Sequence, residues 1–242
     1  MESLGRAFSL KFSPMSTCWC RLPMPDPLPI STRREMLTTL NSVRVVRASD
    51  SAVNSTTGSR IQPAAGITIR LSARVMACDF SVIMNPGPTE HIEVAGESLE
   101  LIHAIEAWLS IYRESSELSG VNRMAGESPV SVRRELFDLL RKAVEIHVRT
   151  DGAFDIATGS LTRLWRTCRR EYRIPVQQEI DVALTQAGLK SVDLQPESHS
   201  VSFRYPGIVL DPGAIGKGYA LDEACHWLAN SGSGPEAFLL HG

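Results

Sequence analysis

The 242-residue sequence lacks any uninterrupted apolar stretch of the roughly 18 residues that a membrane-spanning helix needs. It also lacks an excess of basic charge, because 25 Lys and Arg stand against 27 Asp and Glu for a formal net charge of −2. Binding of nucleic acid through its phosphates requires a basic surface. We therefore expect a globular protein with no transmembrane segment and no nucleic acid among its partners.

Cysteine is scarce and scattered along the chain. The five cysteines are Cys18, Cys20, Cys78, Cys168 and Cys225. Cys18 and Cys20 form a C-x-C pair, but no second Cys or His pair lies close enough in sequence to complete a zinc site. An odd number of widely spaced cysteines at this length does not predict a disulfide framework. We interpret them as plain thiols or small buried hydrophobic residues.

Residues 1–65 differ in composition from the rest of the chain and are expected to be disordered or to serve in targeting. Four prolines alternate between residues 23 and 29, where they remove backbone donors and fix φ. Six of the thirteen residues from Ala48 to Arg60 are Ser or Thr. Such a segment buries too little apolar surface to offset the entropy of ordering it. A single folded domain is expected over 66–242.

A possible targeting signal lies inside this segment. Ser31 to Leu37 reads Ser-Thr-Arg-Arg-Glu-Met-Leu, which is similar to a twin-arginine export motif around Arg33 and Arg34. The residues that follow contain Arg44, Arg47 and Asp50 and make a poor hydrophobic segment. A solvated basic tail is the alternative interpretation, so the compartment stays open between periplasmic or membrane-associated and cytoplasmic.

From Gly66 onwards the sequence predicts regular structure. Apolar and polar residues alternate over 67–75, which predicts a half-buried strand, and 80–84 continue as a second strand. Helical spacing of apolar residues predicts helices over 98–112, capped by Ser98, and over 131–149, capped by Ser131. The intervening residues, 113–129, are expected to form a loop.

The second half predicts shorter elements. Helices are expected over 177–187 and from about 218 to Asn230, and short strands over 192–194, 200–205 and 208–210, the last two joined in a hairpin at Tyr205-Pro206-Gly207. Strands and helices do not alternate regularly. The fold class expected is therefore α+β, with a mixed sheet and packed helices.

Two glycine-containing segments could bind a ligand. Asp211 to Gly218 brings an Asp to a strand end, followed by a glycine-rich turn with Lys217 at a helix start. Free backbone N–H groups and a lysine there would attract an anion, although a tight turn with a solvated lysine is the alternative. The second segment, Thr150 to Gly159, could equally be only a helix C-terminus followed by an Asp cap, and Ser115-Ser116 only the start of another turn.

Four segments together resemble the ApbE-type FAD:protein FMN transferases. They are Met76-Ala77-Cys78, Tyr112 to Asn122, Asp151 to Asp155 and Asp211 to Asp222. They occur in the family's order, and the resemblance covers about residues 67–242. The first segment departs from the family, which usually has Met-Gly-Thr there.

The resemblance implies an enzyme that binds FAD as substrate with Mg²⁺. It would transfer FMN to a Ser or Thr hydroxyl of an acceptor flavoprotein, with AMP leaving. By position in the motifs, the residues implied to line the FAD site are Met76, Tyr112, Ala153, Phe154, Asp155, Asp211 and Lys217. The carbonyl of Ala214 would contact the metal, and Ser116 and Asn122 would hold the loop beside the flavin. The nucleophile would come from the acceptor, so the lack of a catalytic Ser or Cys motif is no objection, and the identity of the catalytic base stays open.

The family's chain continues beyond the point that resembles Phe238 to Gly242 and adds the Asp and Thr that complete the metal site. We therefore expect a domain that lacks its C-terminal part. Two further hypotheses remain beside the transferase. One is a flavin-binding module without transferase activity, and the other is an interaction domain without a ligand.

Overall fold

The first sheet is built on the hairpin that the alternating sequence after Gly66 predicts. In the computed structural model, which describes residues 42–47, 63–64 and 66–242, β2 (Ile67–Val75) pairs antiparallel with β3 (Cys78–Met84). β1 (Ser42–Arg47) pairs with the other edge of β2, and β7 (Phe238–His241) pairs with β3, both antiparallel. The strand order is β1-β2-β3-β7. β1 lies inside the segment that the sequence predicts to lack regular structure, while the proline run, Arg33-Arg34 and Cys18-Cys20 lie outside the described residues.

Helix α1 covers this sheet and is longer than the sequence predicts. It spans Thr89–Leu109, not 98–112, and it packs on β2 and β3. The expected cap, Ser98, is wrong, because Ser98 lies buried in the middle of the helix and its hydroxyl donates to the carbonyl of Ala95 at 2.8 Å. The helix begins after Pro88, at a position where a proline's missing N–H costs little.

A short helix and a two-residue strand replace most of the predicted loop between 113 and 129. α2 spans Glu117–Met124, and the hydroxyl of Ser116 accepts a hydrogen bond from the N–H of Ser119 as its N-cap. β4 (Val130–Ser131) contains the serine that was expected to cap the next helix, so that cap is wrong. The helix, α3, spans Arg134–Arg149 and buries the apolar face that the spacing predicts.

The second sheet is small and antiparallel, with the order β4-β6-β5. β5 (Val192–Gln195) and β6 (Ser200–Phe203) form its hairpin. The hairpin expected at residues 205–207 is wrong, and residues 208–210 are not a strand. They run as an extended segment whose polar backbone atoms bond outside any sheet, as shown below for Leu210.

Three further helices complete the described residues. α4 (Gly159–Arg170) has no counterpart in the sequence analysis, whereas α5 (Gln177–Thr185) and α6 (Gly216–Asn230) do. α4 packs against α5, and α6 packs along α1. The chain between β6 and α6 includes a short 3₁₀ turn at Pro212–Ala214.

The main core lies between the first sheet, α1 and α6. Its fully buried side chains from these elements include Leu71, Phe80, Met84, Leu99, Ile102 and Leu228. The α+β architecture predicted from the sequence is confirmed, with six α-helices and two small antiparallel sheets in the described part. No helix there is both long and apolar enough to cross a membrane. The three cysteines in that part, Cys78, Cys168 and Cys225, are free thiols.

Candidate functional site

Three of the motif segments meet at Leu210 and Asp211. The side-chain amide of Asn122, on α2, donates from Nδ2 to the carbonyl of Leu210 at 3.0 Å and accepts from the Leu210 N–H at 2.8 Å. The next N–H, of Asp211, donates to the carbonyl of Ile156 at 2.7 Å. The segment before Asp211 thus lies between α2 and the loop after α3, which brings the motifs at 112–122, 151–155 and 211–222 into one region.

The loop that carries Tyr112 is fixed by serine hydroxyls. The hydroxyls of Ser116 and Ser119 both donate to the carbonyl of Ser110, the latter at 3.1 Å. The hydroxyl of Ser110 accepts from the N–H groups of Tyr112 and Arg113 at 3.2 and 3.3 Å. Ser116 therefore acts as a structural residue of this loop, in line with the role that the resemblance implies.

Met76 sits in the two-residue turn between β2 and β3 and is tied to α1. Met76 and Ala77 have φ values of 50° and 62°, the left-handed conformation that both central residues of a type I′ hairpin turn require. The Met76 N–H donates to Oε1 of Glu106 at 2.7 Å, and Oε2 of the same carboxylate pairs with Arg113 at 2.6 Å. Glu106 thereby connects the Met76 turn to the residue that follows Tyr112.

Arg166, on α4, links two of the predicted site residues. Its guanidinium carbon lies 5.3 Å from the centre of the Tyr112 ring, within the range of a cation–π contact. Its Nη2 lies 4.0 Å from Oδ2 of Asp211. The sequence analysis missed Arg166 because it missed α4. The Leu-Trp-Arg segment at 164–166 lies outside all four motifs and offers no signal of its own.

Asp155 holds backbone and does not point at open space. Oδ1 accepts from the N–H of Ala157 at 2.7 Å, and Oδ2 accepts from the N–H of Leu189 at 3.1 Å. Nδ1 of the buried His147 lies 3.4 Å from Oδ2 and donates to the carbonyl of Phe154 at 2.8 Å. Asp155 and His147 together fix the half-buried Phe154, whereas Ala153 is exposed.

The buried His147 carries an unusual feature. Its other ring nitrogen, Nε2, is buried and has no hydrogen-bond partner among the described residues. Nδ1 donates to the Phe154 carbonyl, so this hydrogen bond holds the ring in place while Nε2 lies in the interior.

The loop from Asp211 to Lys217 leaves several polar groups available. Asp211 caps the 3₁₀ turn, since its Oδ1 accepts from the Gly213 N–H at 3.0 Å. The carbonyl of the exposed Ala214 accepts no hydrogen bond from the described residues. Lys217 is exposed in the first turn of α6 and forms no ion pair within that part of the chain. A free carbonyl, a lysine and the helix N-terminus could serve a phosphate and a hard cation.

Two glycines allow the backbone to come close in this region. A Cβ on Gly159, the first residue of α4, would lie 2.6 Å from both the carbonyl oxygen and Cγ1 of Val209. A Cβ on Gly216, the first residue of α6, would lie 2.9 Å from Cδ2 of Leu109 at the end of α1. Glycine is therefore required sterically at residue 159, where the close atom is a backbone oxygen, whereas at residue 216 the Leu109 side chain would have to shift. Gly218, by contrast, has no heavy atom within 4 Å of its Cβ position.

Burial shifts the pKa of two side chains on α6. Burial raises the pKa of the Tyr219 phenol far above its usual value, and the nearby Glu223, Glu135 and Asp138 raise it further. Burial also raises the pKa of Glu223; the nearby His226 opposes this increase, and Asp222 and Glu135 each add a smaller one. The Tyr219 ring packs edge-on against Trp108 at 6.0 Å, so this protonated tyrosine anchors the start of α6 to α1.

The predicted site residues offer one candidate ligand for a metal ion. No cluster of three or more His, Cys, Asp or Glu side chains that could hold a metal ion exists among the described residues. The one candidate ligand from the motifs is the unbonded Ala214 carbonyl. Mg²⁺ takes few ligands from protein and several from substrate phosphates or water, so a single carbonyl fits a partial site.

The predicted site residues are therefore connected in a chain of contacts. Glu106 and Arg113 connect Met76 to Tyr112, Arg166 connects Tyr112 to Asp211, and Ile156 connects Asp211 to the Phe154 loop. Lys217 and Ala214 follow Asp211 in the same loop. Among the described residues, no side-chain hydrogen bond or ion pair joins Ala153 or Lys217 to another member of the set.

Comparison with known proteins identifies the same relationship that the motifs indicate. Residues 65–238 match the family model described as the ApbE family. The chain is 33% identical over 135 residues to an FAD:protein FMN transferase of Klebsiella pneumoniae, which covers 56% of this chain and 43% of that protein. It is 32% identical over 142 residues to an FAD:protein FMN transferase of Treponema pallidum, which covers 56% of this chain and 39% of that protein. The chain thus spans less than half the length of these two relatives.

Solved structures share the fold. The flavin transferase ApbE from Vibrio cholerae superposes with a TM-score of 0.63 at 22% identity, covering 72% of this chain and 57% of that one. The ApbE protein from Thermotoga maritima superposes with a TM-score of 0.61 at 28% identity, covering 66% and 52%. With a family model matched over most of its length and the motif segments meeting at Asp211, this chain belongs to the ApbE family.

Proposed function

We propose that this chain binds FAD as part of an FAD:protein FMN transferase. The reaction would join the oxygen of a Ser or Thr hydroxyl on an acceptor flavoprotein to the phosphorus of the FMN half. The pyrophosphate P–O bond breaks, AMP leaves with the electron pair, and the hydroxyl proton is released. The observation that carries the proposal is the convergence of three motif segments on Leu210 and Asp211 through Asn122 and Ile156. The names of the curated relatives point to the same activity.

The flavin ring needs apolar and aromatic surroundings, and Met76, Tyr112 and Phe154 are the side chains proposed to provide them. Tyr112 is 72% exposed, so it has a free ring face to offer. Ala153 lies beside Phe154 and would contribute backbone. Asp155 is proposed to act indirectly, since both its oxygens already hold the loop that carries Phe154.

The pyrophosphate is proposed to lie over the Asp211–Lys217 loop. Lys217 supplies an unpaired positive charge beside the N-terminus of α6, where backbone dipoles also favour an anion. Mg²⁺ would be held by the Ala214 carbonyl together with groups from the substrate. When bound, the cation neutralises the negative charge that develops on the phosphate oxygens. Asp211 holds the turn in shape through Gly213.

FAD binding and AMP release test this proposal separately. The chain is titrated with FAD in the presence and absence of Mg²⁺, and flavin fluorescence gives the dissociation constant. Lys217→Ala is expected to weaken FAD binding by about tenfold or more, the usual size of a charge-assisted hydrogen bond. Lys190→Ala, which removes an exposed lysine outside the motifs, is the matched control and should leave FAD affinity unchanged.

AMP release is then followed by chromatography after adding an acceptor flavoprotein. Release of AMP together with covalent flavin on the acceptor supports the transferase. FAD binding without AMP release would contradict transfer and leave a flavin-binding module. Equal affinity for FAD in Lys217→Ala, Asp211→Ala and the unaltered chain would overturn the assigned pocket.

A further inference from the structure

A groove runs along one face of α4, beside the proposed FAD site. It is open to solvent and has a volume of about 640 Å³, and its lining includes Leu161, Trp165, Arg166, Arg169 and Arg173. Residues 161, 165 and 169 lie four apart and so share one face of the helix. None of the residues proposed to contact FAD lines this groove. It adjoins the FAD site at Arg166, which contacts Tyr112 and Asp211, and at Thr158, whose hydroxyl donates to the carbonyl of Asp155 at 3.3 Å.

The arginines of the groove are only partly neutralised by carboxylates of the described residues. α4 carries four arginines and no acidic residue. Arg173 is occupied, because its two Nη atoms bind Glu179 at 2.7 and 2.8 Å and its Nε binds Glu171 at 2.6 Å. Arg169 forms no ion pair with any residue that the structure describes, and Arg166 lies 4.0 Å from its nearest carboxylate. An acidic ligand would therefore be complementary to this face.

Exposed apolar side chains lie in the groove and along the chain that follows it. Trp165 is 51% exposed, and the chain that continues through Arg173 exposes Tyr172 at 98% and Ile174 at 78%. Six of the twelve large exposed apolar side chains in the described part lie between residues 165 and 184. Concentrated apolar surface with a polar rim is typical of a site that binds another protein.

We propose that this groove and the adjoining residues 172–176 dock an acidic, partly apolar segment of the acceptor polypeptide. The inference rests on the proposed transferase, because transfer to a protein needs a second binding surface next to the FAD site. Arg166 stands at the junction, with its guanidinium between the Tyr112 ring and Asp211. A segment lying on α4 would bring the neighbouring part of the acceptor to the loop at Asp211.

A peptide-binding assay without FAD tests the groove independently of transfer. The full chain is titrated into a fluorescein-labelled peptide of Asp, Leu and Ser, and into the same peptide with Asn in place of Asp, with anisotropy as the readout. The acidic peptide is expected to bind about tenfold tighter at low salt, with the difference shrinking as salt is added. Arg169→Glu should remove that difference. Arg170→Glu, the same charge change on the same helix outside the groove, should keep it.

Several results would overturn the docking surface. One is equal affinity for both peptides, and another is an equal loss of acidic-peptide affinity in Arg169→Glu and Arg170→Glu. A third is displacement of the peptide by AMP, which would make the groove a nucleotide subsite. Trp165→Ala provides a second variant, and it should weaken the acidic peptide through lost apolar contact. FAD affinity should be unchanged in Arg169→Glu. Peptide binding retained in a chain that does not bind FAD would contradict the proposed function and leave the groove in place.

Discussion

Asn122 and Leu210, 88 residues apart, are joined by a closed pair of hydrogen bonds, with the asparagine amide serving both the N–H and the carbonyl of the leucine. Leu210 is completely buried, so no solvent can replace these bonds. The side chain of one residue thus takes the part that a neighbouring strand would play. It fixes the position at which Asp211 leaves the core.

Removing this amide should cost stability. Asn122→Ala leaves the N–H and carbonyl of Leu210 buried without partners, and each such group costs about 1–3 kcal/mol. We expect the free energy of unfolding to fall by about 2–4 kcal/mol, measured by urea denaturation. Asn230→Ala, which loses one exposed bond to the His226 carbonyl at 2.8 Å, is the control. Equal losses of unfolding free energy in the two variants would show that the paired bonds stabilise the fold no more than one exposed bond does.

Gly159 and Gly218 should respond oppositely to alanine. At Gly159 the new Cβ would meet Val209 at 2.6 Å, so Gly159→Ala should destabilise the chain by about 1–3 kcal/mol through overpacking. At Gly218, inside α6 with open space around it, alanine should stabilise by about 0.5–1 kcal/mol through its higher helix propensity. Thermal unfolding of both variants measures these two changes in stability, and changes of the same sign would contradict the prediction. In the proposed site, Gly218→Ala should also weaken FAD binding, because the added methyl group occupies space needed for close approach of phosphate to the backbone.

Replacing Ala77 with glycine should stabilise the fold. Its φ of 62° is a conformation that costs an L-residue with a Cβ about 1 kcal/mol and glycine almost nothing. Ala77→Gly is therefore expected to raise the unfolding free energy by up to about 1 kcal/mol. Ala153→Gly, at a residue without positive φ, should lower it. A loss of stability in Ala77→Gly would show that the turn does not hold the conformation described.

Glu223 should make stability depend on pH. Burial raises its pKa in the folded chain above the value of about 4.3 that the unfolded chain has. The folded state then holds the proton more tightly, so the contribution of Glu223 is full below the unfolded pKa and is lost as pH rises through the folded pKa. Glu223→Gln should raise the melting temperature at pH 7 and have little effect at pH 4.

Glu236→Gln, in an exposed loop, is the matched variant for that measurement, since it also removes one carboxyl group. Its change in melting temperature is subtracted at each pH. A difference for Glu223→Gln that is the same at pH 4 and pH 7 would contradict the raised pKa.

A helix whose buried residues are apolar and follow helical spacing was predictable from the sequence. A helix whose buried residues lack that pattern was not. The buried face of α3, including Leu136, Leu139 and Ala143, follows helical spacing directly. α4 does not, because its buried residues are Gly159, Ser160 and Cys168, two of them small and polar or lacking a side chain. Local pattern therefore could not reveal the helix that carries Arg166.

The apolar composition of residues 208–210 led to a wrong prediction of a strand, because tertiary contacts and not a sheet bind their backbone. Ile208, Val209 and Leu210 have the composition of a strand and are buried, yet their hydrogen bonds go to Asn122 and to Gly159, whose N–H donates to the Val209 carbonyl at 3.0 Å. No short-range signal contains that information. The motif positions, by contrast, were fixed by resemblance, and the contacts between them came only from the structure.

The candidate site is assembled from residues that lie between 76 and 217 in the chain, so no partly folded segment contains it. A ligand of this site can bind only the folded state, and its binding free energy adds to the stability of the fold. At a free concentration 100 times its dissociation constant, such a ligand stabilises by about 2.7 kcal/mol. The supply of that ligand would then influence how much of the chain is protected from unfolding and proteolysis.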